Sequence, residues 1–209
     1  MRYGSAALAA LCLLALAAAP AQAQRTVVGV SYDWSMPMGD AGDFVDNDSW
    51  LGFTMDVRYF ADRNARSSLG ATFGYYEFYH MDPFASTIQF GATAVTGQQY
   101  RHAFSIPLML NFTGYFGSDQ YKPRPYIGLN GGVSYIKQTV DVGIYTLTSD
   151  AWVVSSMPEI GVVIPRGRNQ INLHARYHVP FGSDNLFSNG GSGLSFQYLS
   201  IGVGFMGRP

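Results

Sequence analysis

His174, Arg176 and His178 alternate with Leu173, Ala175, Tyr177 and Val179, so on an extended strand the three ionisable side chains share one face. Two imidazoles at that spacing could ligate a metal or exchange protons, and either chemistry needs further partners. The only cysteine is Cys12, and no third ligand is indicated. The expectation is therefore no metal, no catalytic residue and no cofactor. Asp56, Arg58 and Glu159 stand on the same kind of polar face in two other alternating stretches. Charges confined to a narrow interior are costly unless paired. Asp56, Arg58, Glu159, His174, Arg176 and His178 are thus expected to form one internal polar network, structural or acting as a gate.

Three further patterns could carry chemistry. Gly202-Val203-Gly204-Phe205-Met206-Gly207 spells the dinucleotide fingerprint, but no helix follows to hold a pyrophosphate. Asp46-Asn47-Asp48 begins like a calcium loop, but the sixth-position glycine and the late glutamate are missing. A Ser/His/acid set acting on lipid should open outward near the membrane surface. His174 and His178 face inward in the expected register, and His80 and His102 show no partner in the sequence.

Those charged faces need elements to hold them, and composition narrows which. The 209 residues carry 13 Lys and Arg against 14 Asp and Glu, a net charge of −1. Without a basic field the chain is not expected to bind nucleic acid. Only 13% of residues are charged while 15% are aromatic, with 24 glycines; a soluble domain is usually about a quarter charged. Residues 1–23 run from Arg2 through an apolar stretch to Ala21-Gln22-Ala23, the pattern of a cleaved signal peptide, leaving 24–209 as one domain. Cys12 lies in that leader, so the exported domain uses no disulfide. No later run reaches the ~18 apolar residues of a spanning helix.

Period-two alternation recurs eight times, over 26–34, 50–60, 68–79, 99–116, 125–137, 151–165, 170–180 and 195–205. In each, one face is bulky and apolar, as in Leu51, Phe53, Met55 and Val57. The other is rich in Gly, Ser and Thr. An eight-stranded barrel is just wide enough for side chains to fill, so the small face is expected inside and the bulky face against lipid. About ten residues at ~3.3 Å each, tilted ~45°, span about 23 Å, close to the apolar band of an outer-membrane barrel. Closure also satisfies every strand edge in lipid. The fold expected is an eight-stranded antiparallel up-and-down transmembrane β-barrel. Tyr32, Trp34, Trp50, Tyr59, Tyr75, Tyr135, Trp152 and Tyr177 stand toward strand ends, where an aromatic girdle would lie.

Connections alternate long and short: 35–49, 80–98, 138–150 and 181–193 against 61–67, 117–124 and 166–169. Long loops are expected outside the cell and short turns in the periplasm. The long loops hold Asp40, Asp43, Asp46, Asp48, Asp82, Asp141, Asp150 and Asp184 and no Lys or Arg. Asp40, Asp43, Asp46 and Asp48 form an acidic extracellular loop, where divalent cations could bridge to lipopolysaccharide phosphates.

Phe104-Ser105-Ile106-Pro107-Leu108-Met109-Leu110-Asn111-Phe112, Pro125-Tyr126-Ile127-Gly128-Leu129-Asn130-Gly131-Gly132 and the closing Gly202-Val203-Gly204-Phe205 resemble strands of porin-family outer-membrane β-barrel proteins. The resemblance implies a bacterial outer-membrane location and the barrel assembly machinery as a partner, and it carries no catalytic residues. The function expected is a barrel with a mostly filled polar lumen, structural or for surface interaction, set in outer-membrane lipid and lipopolysaccharide. The alternative is a narrow porin for small solutes or ions. An outer-membrane lipid-modifying hydrolase ranks behind both.

Overall fold

The computed structural model describes residues 26–60, 65–82, 86–90, 93–117, 122–167, 169–181 and 196–207. The expected leader, 1–23, lies outside the described residues, as do Asp184 and most of the fourth long connection. Ten strands and one short helix follow in order: β1 (Thr26–Met38), α1 (Asp40–Phe44), β2 (Ser49–Phe60), β3 (Ser67–Met81), β4 (Ser86–Phe90), β5 (Thr93–Gly97), β6 (Gln99–Tyr115), β7 (Arg124–Val142), β8 (Tyr145–Arg166), β9 (Asn169–Phe181) and β10 (Gln197–Gly207). Eight of them close an antiparallel barrel in the order β1-β10-β9-β8-β7-β6-β3-β2, and β4 and β5 form a separate hairpin.

The faces follow side-chain bulk. Leu51, Phe53, Met55 and Val57 are exposed on β2, while Thr54, Asp56 and Arg58 are buried between them. β9 repeats this, with Leu173 out and Asn172, His174, Arg176 and His178 in. The outer wall of β8 is apolar from Trp152 to Ile164 apart from Ser156. At ~3.3 Å per residue and ~45° of tilt that stretch rises about 28 Å, enough to cross the apolar band of a bilayer.

Stacked and tilted rings form a belt at the long-connection end. Tyr75 lies 6.2 Å from Phe104, Phe104 5.8 Å from Tyr135, Tyr135 5.2 Å from Trp152, and Trp34 5.5 Å from Trp50.

Two expectations need correction. First, 138–150 is not a loop. β7 and β8 stay paired to Val142↔Tyr145 around Gly143, whose φ of +61° suits the first position of a two-residue turn. The alternation inverts phase there. Below the belt the outward residues are apolar; above it Thr139, Asp141, Thr146 and Thr148 face out. Val140 and Val142 are buried, with Leu147 and Ala151 packed against the same cluster. The inversion is what a strand pair needs on passing from lipid into water. Likewise 80–98 holds the end of β3 and the β4–β5 hairpin.

Second, the interior is not filled by small residues alone. Beneath the long connections, Ala41, Phe44 and Val45 pack onto Tyr76, Phe78, Ala103, Ile136, Val153, Phe196 and Tyr198. At the short-turn end, Val27, Phe60, Ala65, Tyr115, Tyr126, Val163 and Met206 form a second cluster. Apolar side chains thus form a closure toward each end of the lumen, with the charges of Asp56, Arg58, Glu159 and Arg176 held between, though Arg124 is buried over the Tyr115 ring at the short-turn end.

Candidate functional site

Six strands deliver the lumen network, because inward positions at the same height on β1, β2, β3, β7, β8 and β9 converge on the axis. Arg58 Nη2 lies 2.8 Å from Glu159 Oε1 and 3.7 Å from Asp56 Oδ1. Arg176 Nη2 lies 2.8 Å from Asp56 Oδ2, and its Nε lies 3.2 Å from Glu159 Oε2. The two guanidiniums and two carboxylates thus form a closed ring of ion pairs. Neutral groups occupy several of their remaining lone pairs and protons, while Arg58 Nε has no hydrogen-bond partner among the described residues. Thr72 donates to Asp56 at 2.7 Å, Asn130 to Glu159 at 3.3 Å, and Arg176 to Thr54 at 2.8 Å. The Tyr126 hydroxyl donates to Glu159, and its ring lies 5.1 Å from the Arg58 guanidinium carbon. Arg58, Arg176 and Glu159 are almost wholly buried, so each ion depends on its partners for the solvation that water would otherwise supply.

The two histidines separate. His174 Nε2 lies 2.7 Å from Asp33 Oδ1, and Thr54 donates to the other Asp33 oxygen at 2.9 Å. His178 does not reach the ion ring. It stacks on Tyr198 at 3.9 Å, meets the edge of Tyr76 at 4.8 Å, and has Ser200 Oγ 3.3 Å from Nε2. It belongs to the boundary between the polar centre and the apolar closure above. Asp33, Tyr126, Asn130 and Asn172 complete the network although none stood among the expected members. Asp33 has the right strand parity, next to Gly29 and Ser31, but its partner His174 lies far away in sequence, and only the closure of β1 on β10 brings the two together.

The Gly202–Gly207 motif falls on β10, paired to both β1 and β9. A Cβ at Gly202 would run into Asp33 Oδ1 and His174. The glycine is there to leave room for that pair.

At the rim, Asp40, Asp43, Asp46 and Asp48 are all exposed. No group of three or more His, Cys, Asp or Glu side chains converges on a metal position among the described residues. His80 contacts Asp46 through Nδ1 and lies 3.1 Å from Asp82 through Nε2. Arg101 donates to the carbonyls of Asp43 at 3.2 Å and Phe44 at 3.3 Å and pairs with Asp82 at 3.3 Å. These contacts strap the α1 connection across the mouth. On the outer wall, His102 Nε2 lies 2.7 Å from Glu77 Oε1.

No protein-family profile and no curated protein matches the chain. Solved structures do. Neisserial surface protein A superposes with a TM-score of 0.50 at 13% identity, over 88% of this chain and 97% of that one. The attachment invasion locus protein of Yersinia pestis, solved with the heparin analogue sucrose octasulfate, gives 0.50 at 11% identity over 88% and 96%. Identities this low speak for the fold. With its closed antiparallel sheet, its apolar outer wall and its aromatic belt, the chain is an eight-stranded β-barrel of the kind held by bacterial outer membranes.

Proposed function

We propose that this porin-family-like barrel is a non-conducting, non-enzymatic component of the outer membrane that presents a surface for interaction outside the cell. The observation that carries the reading is the filled lumen: a closed ring of ion pairs between two apolar clusters. A porin needs the reverse, a wide polar interior open at both ends.

Interaction falls to the parts that rise above the belt. β8 pairs with β9 only as far as Val154↔Phe181. The β7–β8 hairpin runs on beyond that pair to its turn at Gly143, and a projecting hairpin presents its tip and side chains to another protein. Ile144 at the turn is 91% exposed, an apolar tip that suits contact. The neighbour from Yersinia pestis was solved with a sulfated ligand, but the aspartate-rich rim of this chain repels polyanions. In our reading it gathers divalent cations that bridge to lipopolysaccharide phosphates, and the barrel assembly machinery inserts the chain.

Shortening the hairpin tests the assignment. Replacing 139–148 by an Asn-Gly turn is expected to leave a heat-modifiable barrel in the outer membrane. It should also abolish the adherence that the full chain confers when displayed on a non-adherent bacterium. Undiminished adherence by the shortened chain, or none by the full chain, contradicts the assignment.

A further inference from the structure

The outer wall is not uniformly convex. One row of register-paired outward residues reads Val57, Ala71, Leu110, Gly131 and Ser156, small at three of its five positions. The row on the belt side reads Met55, Phe73, Leu108, Val133 and Val154, and the row on the other side Tyr59, Leu69, Phe112, Leu129 and Pro158. Along the small-residue row, against the ridge of Met55, Phe73, Leu108 and Val133, lies an apolar groove of about 520 Å³ across β2, β3, β6 and β7.

The same strands carry a cation above it. Lys137 stands on β7 three outward positions beyond Gly131, with Nζ 6.0 Å from the Phe104 ring centre. Asp150 is its register neighbour, but that carboxylate is hydrogen-bonded by Tyr135. Lys137 makes no ion pair among the described residues. Glu77, the other carboxylate of that row, is engaged by His102.

Six residues at ~3.3 Å, tilted ~45°, put Lys137 about 14 Å above Gly131, roughly half of a ~25 Å apolar band. The groove therefore sits at the depth of acyl-chain ends and Lys137 at the depth of headgroups in one leaflet.

We propose that this face binds one anionic lipid, its headgroup phosphate on Lys137 and an acyl chain lying in the groove. The site rests on the outer wall facing lipid and is independent of whether the lumen conducts. A cation held against an aromatic ring at the interface matches a phosphate, while the apolar trough beneath selects a tail rather than a free anion.

The test uses the full chain in nanodiscs of phosphatidylcholine with a minor share of phosphatidylglycerol, read by native mass spectrometry. The wild type is expected to retain one phosphatidylglycerol in preference to phosphatidylcholine. A Cβ at Gly131 meets open space, so Gly131→Leu should fold, as heat-modifiable migration will verify, and lose the retained lipid. Lys137→Gln should lower the preference about fivefold. Unchanged retention in either variant overturns the site. A dimer that Gly131→Leu dissociates would overturn it in favour of a second copy. Channel activity would sink the proposed function and leave this site standing.

Discussion

Glu159→Gln is expected to lower the unfolding free energy of the barrel by about 3–5 kcal/mol, the usual cost of breaking a buried ion pair from one side. Glu159 lies within ion-pair distance of both Arg58 and Arg176. Without its charge, two buried guanidiniums face Asp56 alone. The amide can still accept from Tyr126, so the loss measures charge compensation more than packing. Urea unfolding in lipid vesicles, followed by tryptophan fluorescence, reads it directly. Asp48→Asn at the exposed rim is the control, where a change within ~0.5 kcal/mol is expected. Equal effects from the two substitutions would show that the lumen is wet enough to solvate its own charges.

The adjacent glycines of β7 provide the second large effect. A Cβ on Gly132 would fall inside contact distance of the Leu108 carbonyl oxygen and 2.9 Å from the Met109 Cα. Both are backbone atoms and cannot swing aside. Gly132→Ala is therefore expected to cost about 3 kcal/mol, the upper part of the overpacking range. It should sharply reduce the heat-modifiable fraction on gels. Gly131→Ala, one residue away on the lipid face, is expected to stay within ~0.5 kcal/mol. Similar behaviour of the two would mean that β6 and β7 do not approach as closely at this point as the register requires.

Much of this architecture is legible in the residue order. Period two separates Leu51, Phe53, Met55 and Val57 from Thr54, Asp56 and Arg58, and only a closed sheet reconciles that bulky face with so few charges. The β7–β8 hairpin is harder to read, because its alternation continues with the phase inverted. Thr139, Asp141, Thr146 and Thr148 look like loop composition until Val140 and Val142 are seen to face inward. The apolar closures escape for a different reason. Tyr76, Phe78, Tyr126 and Tyr198 are inward by parity, yet their bulk suggests the lipid face. Asp33 and His174 become partners only when the first and last strands pair, a fact of topology that no local pattern carries.

A shut lumen passes no ions, and single-channel recording of the purified full chain in planar bilayers measures this. A membrane indistinguishable from the protein-free bilayer is expected across the voltage range, with barrel insertion verified by heat-modifiable migration of the recovered protein. Discrete, reproducible openings from the inserted wild-type chain would contradict it.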